Sequence, residues 1–203
     1  MNKTIWIIRH GQTALNAKNI VQGQGVNEPL NEIGKVQSQQ FWNYYKEEPF
    51  DLVLYSNLIR SQQSIVNFLT KPIQGVELEE LKEISWGINE GLDTSEDVLM
   101  RYHHAVTSWQ AGLLDERVEA GESANELGIR AQFCIDWINK ADRRNILICS
   151  HGRTIRALVC LLQDKPLTSM EDVSHKNLGL YKFELIDGRW QPTLKDDTSH
   201  LIN

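Results

Sequence analysis

Two histidines each follow a short apolar run and are each followed by a glycine. His10-Gly11 comes after the run at residues 4–8, and His151-Gly152 comes after the run at residues 146–149. Continuous apolar runs with β-branched residues are typical of strands that are buried on both faces of a parallel sheet. The carboxyl ends of such strands line the ligand crevice of an open α/β sheet. The repeated pattern therefore predicts that both imidazoles lie at the same height in one crevice.

Two arginines are expected at the same edge of the sheet. Arg9 directly precedes His10, and Arg60 lies in the first turn of a predicted helix that follows a third apolar run at residues 52–55. A guanidinium group matches the geometry of phosphate oxygens, and helix N-termini add backbone donors for an anion. A single arginine is more often a surface charge. Two arginines with two histidines predict a site for a phosphoryl group.

The overall charge limits the partners of this site. The 203 residues include 27 acidic and 21 basic side chains, which gives a net charge of −6. A polyanion such as nucleic acid, or an anionic membrane, needs a basic surface, so neither is expected as a partner. No apolar run approaches the ~20 residues of a membrane-spanning helix. We therefore expect a cytoplasmic protein with a small-molecule phosphomonoester as its substrate, and the sequence leaves a homodimer open.

Cysteines and carboxylates give no indication of a metal or cofactor. Cys134, Cys149 and Cys160 are odd in number and none has the C-x-x-C spacing of a thiolate zinc site, so we expect buried, reduced thiols. No carboxylates cluster at the spacing of metal ligands. The sequence thus predicts no metal and no cofactor.

Strands that alternate with helical patterns indicate an α/β fold. We expect a three-layer α/β/α sandwich with a mostly parallel mixed sheet and helices on both faces. The sheet is predicted to be mixed because Asp187-Gly188 lies between two strand-like runs, and this pattern predicts an antiparallel hairpin. Residues 1–203 are predicted to form one domain. Within it, residues 92–120 are predicted to be a short helical lid insertion, with Tyr102, Val106 and Trp109 as its apolar stripe.

Two helices have predicted start signals. Asn31 is a candidate N-cap, and the apolar residues Ile33, Val36, Phe41 and Tyr44 follow it at helical spacing. Residues 123–126 form a predicted capping box at the start of a later helix. Its expected buried face consists of Leu127, Ala131, Cys134 and Ile138.

The motif at residues 9–13, Arg-His-Gly-Gln-Thr, resembles the Arg-His-Gly signature of the histidine phosphatase superfamily, the clan of cofactor-dependent phosphoglycerate mutases and related phosphatases. Further segments resemble other motifs of that family in the family order, and the resemblance covers nearly the whole chain. These segments are residues 22–23 with 29–34, 56–64, 81–91, 121–123 and 150–152. Each motif is weak alone, whereas the ordered set is specific.

The resemblance implies a role for each matching residue. His10 would be the nucleophile that forms a phosphohistidine. Arg9, Arg60 and His151 would hold the phosphoryl oxygens and stabilise the transition state. Glu83 would donate a proton to the leaving oxygen and later activate water.

Several neighbouring residues complete the predicted site. Substrate-binding positions implied by the resemblance are Asn16, Gln22, Gly23 and Gly152. Glu90, seven residues after Glu83, is the alternative proton donor. Glu122 precedes the capping serine, and its predicted role is a favourable charge at a helix N-terminus.

The predicted function is a metal-independent phosphomonoesterase of the histidine acid phosphatase type, acting through phosphohistidine on a small phosphorylated metabolite. The first alternative is a cofactor-dependent phosphoglycerate mutase, and the second is an inactive protein that binds a phosphorylated ligand. The segment between Gly91 and Gly121 is short and contains few basic residues, which favours the phosphatase. Its apolar residues favour a moderately hydrophobic leaving group; they are Tyr102, Trp109, Leu113 and Leu114.

Overall fold

The computed structural model describes residues 3–201. Within that range six strands form a single sheet: Thr4–Arg9 (β1), Leu52–Tyr55 (β2), Gln74–Glu77 (β3), Asn145–Ser150 (β4), Leu180–Ile186 (β5) and Arg189–Asp197 (β6). The α-helices are Ala14–Ala17 (α1), Glu32–Tyr45 (α2), Ile59–Leu69 (α3), Glu96–Gln110 (α4), Ala124–Lys140 (α5) and Gly152–Leu162 (α6). Short 3-10 helices lie at Glu79–Leu81, Gly87–Asn89 and Leu167–Asp172.

The sheet is mixed, with four parallel strands and an antiparallel edge. Its order is β3-β2-β4-β1-β5-β6. β3, β2, β4 and β1 pair in parallel, whereas β5 is antiparallel to both β1 and β6. The predicted hairpin is confirmed: Asp187 and Gly188 both have positive φ angles, of 51° and 78°, as a tight two-residue turn between twisted strands requires.

Helices cover both faces of this sheet. Successive residues of β1 point to opposite faces, so Ile5 and Ile7 join one apolar cluster while Trp6 and Ile8 join the other. The first cluster contains the buried faces of α4, α5 and α6, and the second contains those of α2 and α3. The three-layer α/β/α architecture predicted from the sequence is therefore confirmed.

The buried face of α2 differs from the prediction. Ile33, Val36 and Tyr44 are exposed, whereas Phe41 and Tyr45 are buried. The interior face also carries the small residues Gly34 and Ser38, which bring the helix backbone close to the loop after β1. Close backbone approach, rather than the number of apolar side chains, therefore decides which side of α2 faces the core.

Residues 92–120 contain α4 and the turns on either side of it. Val106 and Trp109 are buried in the core, and Tyr102 is half-buried. Leu113, predicted as part of the apolar lid, is exposed. All three cysteines are free and buried, as expected. Among residues 3–201 we find no helix with the length and apolar character needed to cross a membrane.

Gly34 holds α2 against the loop that carries His10. A Cβ at this position would overlap the carbonyl oxygen of Gln12. We expect Gly34→Ala to lower the free energy of unfolding by about 1–3 kcal/mol, the usual cost of overpacking, despite a gain of up to ~1 kcal/mol in helix propensity. Urea unfolding followed by tryptophan fluorescence measures the change.

The adjacent exposed residue provides the control. Lys35→Ala lies on the solvent side of the same helix turn and should change the stability by less than about 0.5 kcal/mol. Equal stability of the Gly34→Ala and Lys35→Ala variants would contradict the proposed contact.

Candidate active site

Three strand ends meet at one edge of the sheet. In the parallel register Arg9 lies opposite Ser150, and Tyr55 lies opposite Cys149. The next residues, His10 and His151, therefore leave the sheet at the same height, and Ser56 lies one residue earlier, level with Arg9 and Ser150. The two imidazole ring centroids are 5.0 Å apart. The structure thus brings the two predicted histidines together.

His10 is oriented with one ring nitrogen toward the backbone. Its Nδ1 lies 2.7 Å from the carbonyl oxygen of Gly11 and donates its hydrogen there, which leaves Nε2 with a free lone pair. Burial lowers the pKa of His10 well below its ordinary value of 6.5, and the charges of Arg60 and Arg9 lower this pKa further. The ring is therefore neutral at pH 7 and has the protonation state of a nucleophile.

His151 is also neutral and is oriented by Ser56. The Ser56 hydroxyl accepts a hydrogen bond from the amide of Leu58 at 3.3 Å and shares a hydrogen bond of 2.7 Å with His151 Nε2. When the hydroxyl donates to Nε2, the ring hydrogen of His151 lies on Nδ1, which has no partner within the protein. Burial, followed by the charge of Arg60, lowers the pKa of His151 well below 6.5. In that tautomer His151 is neutral and offers Nδ1–H as a donor.

The two arginines are each held by backbone carbonyls. Arg60 donates to the carbonyl oxygens of Val26 at 2.5 Å and Gly23 at 3.2 Å, and Arg9 donates to that of His175 at 2.9 Å. Burial lowers the pKa of Arg60 to about 10, so it stays positively charged at pH 7. These carbonyl contacts fix the direction of both side chains without neutralising them.

Three buried donors of this group have no hydrogen-bond partner. Among the residues that the structure describes, the buried side-chain atoms without a partner include Arg9 Nε, Arg60 Nε and His151 Nδ1. A buried donor without a partner costs free energy, more so when it is charged. The three donors belong to the three residues predicted to hold phosphoryl oxygens, and an anion with several oxygens would satisfy them.

Glu83 is held at the N-terminus of α6. Its Oε1 accepts hydrogen bonds from the amides of Ile84 at 2.9 Å, Arg153 at 3.0 Å and Thr154 at 3.4 Å. The side chain is buried beside Gly152, whose added Cβ would lie 3.4 Å from Glu83 Oε2. A carboxyl group is thus fixed at the same edge of the sheet as His10 and His151.

The two other candidate glutamates have structural contacts. Glu90 accepts hydrogen bonds from the amides of Gly25 at 2.7 Å and Trp86 at 2.8 Å. Glu122 forms an ion pair with Arg130 at 2.6 Å. Across residues 3–201, no group of three or more His, Cys, Asp or Glu side chains could hold a metal ion.

A cavity of ≈ 260 Å³ opens at this edge of the sheet. Of the predicted site residues it is lined by Arg9, His10, Asn16, Gln22, Glu83 and Gly152. In the described part of the chain, Arg60, His151 and Gly23 are outside this lining. Arg60 and His151 are fully buried, and the Gly23 carbonyl contacts Arg60. The remaining lining residues are Asn19, Ile20, Val21, Trp86, Thr94, Val98, Leu99, Tyr102, Arg153 and His175.

The loop before β5 supplies two residues that the sequence analysis missed. His175 Nδ1 lies 3.3 Å from an Arg9 nitrogen, and burial lowers the pKa of His175 to about 3. Asn177 donates to the backbone carbonyl of His10 at 2.9 Å and to the side chain of Asn16 at 3.3 Å. Because β5 runs antiparallel to β1, the loop before β5 must lie at the edge where β1 ends. The predicted hairpin concerns only β5 and β6, and the sequence contained no signal for the pairing of β5 with β1.

Arg153 is a third residue without a predicted role. It lines the cavity directly after Gly152, pairs with Glu171 and donates to the Tyr102 hydroxyl at 2.5 Å. Its place next to His151-Gly152 was the only signal in the sequence.

Comparison with known proteins identifies the family. The sequence profile of the histidine phosphatase superfamily (branch 1) matches residues 5–198. The chain belongs to the histidine phosphatase superfamily. Among curated relatives of this superfamily member is PhoE of Bacillus subtilis (strain 168), an uncharacterized phosphatase, which is 29% identical over 203 residues and covers 97% of this chain and 96% of its own.

Solved structures share the histidine phosphatase fold. The alpha-ribazole phosphatase from Shigella flexneri has a TM-score of 0.83 at 23% identity, with 96% of both chains covered. The mycobacterial glucosyl-3-phosphoglycerate phosphatase has a TM-score of 0.81 at 20% identity, with 98% of this chain and 100% of that chain covered. At these identities the structures establish the fold.

The buried neutral histidines make stability depend on pH. Above pH ~6.5 His10 is neutral in both the folded and the unfolded chain. Below that pH the unfolded chain binds a proton that the folded chain excludes, so stability falls as the pH falls. His10 should contribute a loss of about 1 kcal/mol between pH 6.5 and 5.5, near the limit of ~1.4 kcal/mol per unit for one group. Urea unfolding at several pH values measures this slope.

A comparison of variants isolates the contribution of His10 to the slope of stability against pH. His10→Gln should make the acid-side slope shallower than in the wild type, and replacing the exposed His104 by Gln should leave the slope unchanged. Identical slopes for the wild type and His10→Gln would show that His10 is not held neutral by the fold.

Proposed function

We propose that this histidine phosphatase superfamily member is a metal-independent phosphomonoesterase, of the histidine acid phosphatase type, that acts on a small phosphorylated metabolite through phosphohistidine. The observation that carries the proposal is the group of three unpartnered buried donors on Arg9, Arg60 and His151 beside a neutral His10. Such a group suits a tetrahedral anion that a neutral imidazole can attack.

In the first step the substrate phosphoryl group is transferred to the enzyme. His10 Nε2 attacks phosphorus and forms a P–N bond while the P–O bond to the leaving group breaks. Protonated Glu83 gives its proton to the leaving oxygen, so an alcohol departs rather than an alkoxide. Arg9, Arg60 and His151 donate to the non-bridging oxygens, where charge is concentrated in the transition state.

In the second step water releases the phosphate. Glu83, now a carboxylate, takes a proton from a water molecule whose oxygen attacks phosphorus. The P–N bond breaks and its electron pair returns to His10 Nε2. Glu83 is protonated again and inorganic phosphate leaves, which restores the starting state. Both steps use the same carboxyl group, once as an acid and once as a base.

The guanidinium groups supply the positive charge for which many phosphoryl-transfer enzymes use a metal ion. This supports metal independence within the proposal. The expected partner is a small phosphomonoester. The cytoplasmic location and the homodimer remain predictions.

The covalent intermediate gives the decisive test. The wild-type protein is mixed with an aryl phosphate that is labelled at phosphorus, and turnover is stopped rapidly without acid. We expect the protein to carry a label that acid then removes. His10→Ala should remove this label and lower kcat/KM by about 10³-fold or more, as expected when a covalent nucleophile is deleted. The matched variant His104→Ala changes an exposed histidine on α4 and should label normally.

Two outcomes would contradict the proposal in different ways. Equal labelling of His10→Ala and wild type would show that the nucleophile is a residue other than His10. A wild-type protein that neither labels nor hydrolyses any phosphomonoester would favour the alternative of an inactive protein that binds a phosphorylated ligand.

Hydrolysis should continue when metal ions are removed. In an assay with excess chelator throughout, we expect phosphate release from a panel of phosphomonoesters to stay within about twofold of the untreated rate, because guanidinium and imidazole donors carry the charge stabilisation. Loss of activity that added metal restores would refute metal independence.

The same assay separates the phosphatase from the mutase. With 3-phosphoglycerate as substrate, phosphate release should exceed formation of 2-phosphoglycerate. Isomerisation that is faster than phosphate release would support the phosphoglycerate mutase instead.

A further inference from the structure

His175 contacts Arg9 through two of its atoms. One terminal nitrogen of Arg9 donates to the backbone carbonyl oxygen of His175 at 2.9 Å and lies 3.3 Å from Nδ1 of its ring. A guanidinium group has donors and no acceptor, so Nδ1 of His175 must accept in this contact. His175 therefore helps to set the direction of the Arg9 side chain.

The contact with Arg9 also fixes the tautomer of His175. Burial, followed by the charges of Arg9, Arg156 and Arg153, lowers the pKa of His175 to about 3. The ring is therefore neutral at pH 7 and carries one hydrogen. Because Nδ1 accepts from Arg9, that hydrogen lies on Nε2. An imidazolium ring would carry a hydrogen on both nitrogens and could not accept from the guanidinium group.

The Nε2–H group of His175 is accessible. Within residues 3–201 it has no hydrogen-bond partner, and the buried atoms that lack a partner do not include it. His175 is half-buried and lines the cavity together with Arg9, His10 and Glu83. The ring therefore offers Nε2–H as a neutral donor to a molecule in the cavity.

The ring of His175 lies beside the carboxyl group that is proposed to protonate the leaving oxygen. A Cβ added to Gly152 would be 3.3 Å from Cε1 of His175 and 3.4 Å from Oε2 of Glu83. The imidazole edge and the carboxyl group thus flank the same glycine at the start of α6. Because Nε2 is bonded to Cε1, its N–H lies near the space that a leaving group occupies when it receives the Glu83 proton.

The loop that carries His175 is held on both sides of the nucleophile strand. Asn177 donates to the backbone carbonyl of His10 at 2.9 Å, and the amide of Lys176 donates to Asp196 at 2.8 Å. These contacts fix the backbone next to His175. The ring is therefore presented from a rigid support, as a group that binds a substrate requires.

We propose that His175 uses both ring nitrogens in this site: Nδ1 positions Arg9 for the phosphoryl group, and Nε2–H binds a hydrogen-bond acceptor on the leaving group. The substrate class is then a phosphomonoester whose leaving group carries a hydroxyl close to the ester oxygen. This differs from the apolar leaving group that the sequence favoured, because His175 lies in a loop that the sequence did not reveal. The inference rests on the proposed phosphomonoesterase function and adds a residue that determines its specificity.

A second donor in the cavity supports a hydroxylated leaving group. The Tyr102 hydroxyl accepts a hydrogen bond from Arg153 at 2.5 Å, and within residues 3–201 it has no acceptor for its own hydrogen. Tyr102 and His175 both line the cavity. An apolar leaving group would cover these donors without satisfying them, which costs free energy, whereas a leaving group with oxygens supplies acceptors.

Two substitutions of His175 separate the roles of its nitrogens. In His175→Asn the side-chain oxygen takes the place of Nδ1 as the acceptor for Arg9, and the donor at Nε2 is lost. In His175→Gln the amide nitrogen takes the place of Nε2 as a donor, and the acceptor for Arg9 is lost. His104→Asn changes an exposed histidine outside the cavity lining and provides the control.

Inorganic phosphate tests the contact with Arg9, because it has no leaving group. We expect His175→Gln to raise the inhibition constant of phosphate by about tenfold, since a loosely held guanidinium group binds the anion less well. His175→Asn keeps an acceptor, so its inhibition constant should stay within about twofold of the wild-type and His104→Asn values. Equal inhibition constants in His175→Gln and His175→Asn would overturn the positioning of Arg9 by Nδ1.

Glycerol 1-phosphate and propyl phosphate test the contact with the leaving group. They have the same carbon chain, and only the first carries hydroxyl groups on its leaving group. We expect wild-type kcat/KM to favour glycerol 1-phosphate by about tenfold or more, the scale of one hydrogen bond that would otherwise be unmade. The intrinsic reactivity of the two esters is the same in every variant, so a change in this ratio isolates the contact.

The ratio should depend on the donor at Nε2. His175→Asn should lower the preference for glycerol 1-phosphate by about tenfold, whereas His175→Gln and His104→Asn should retain it. A wild-type preference for propyl phosphate, or an equal ratio in the wild type and His175→Asn, would overturn the contact with the leaving group.

These assays separate a folding defect and the two levels of the proposal. A general loss of folding would affect both His175 variants in both assays, whereas the proposal expects each variant to fail in a different one. If the wild type forms phosphohistidine and hydrolyses propyl phosphate but neither variant shows its expected change, the phosphomonoesterase function stands and the role of His175 is wrong. If the wild type hydrolyses neither substrate and forms no phosphohistidine, the proposed function is wrong and the role of His175 falls with it.

Discussion

The site depends on keeping two buried histidines neutral while two arginines stay charged beside them at one edge of the sheet. Burial disfavours the imidazolium form of His10 and His151, and the adjacent positive charges disfavour it further. The same burial would destabilise the arginines if their orientation were not fixed by backbone carbonyls. A neutral nucleophile beside fixed cationic donors suits attack on a phosphate, because the donors need no reorganisation as charge develops. The parallel register of β1 and β4, the loop before β5 and the N-terminus of α6 all serve to keep this arrangement in place.

Much of this arrangement could be predicted because it follows from strand pairing. Buried parallel strands have continuous apolar sequences, and their ends fall at one edge, so the two His-Gly pairs indicated both the sheet and the meeting of the imidazoles. The position of Arg60 at this edge was predicted in the same way, from the end of the third apolar run. The hairpin at Asp187-Gly188 followed from the positive φ angles that its turn needs. In each of these cases a local sequence rule and the tertiary arrangement agree.

The remainder required information that no local pattern contains. The apolar periodicity of α2 pointed to Ile33 and Val36, but Gly34 lets the opposite side approach the backbone of Gln12, and that contact sets the rotation of the helix. His175 and Asn177 lie in a loop without periodicity, and their contacts with Arg9 and the His10 carbonyl arise from the antiparallel return of β5. The partners of Arg153 come from α4 and from the 3-10 helix before β5, and Glu171 is shared with Arg156, so only the folded chain shows this cluster.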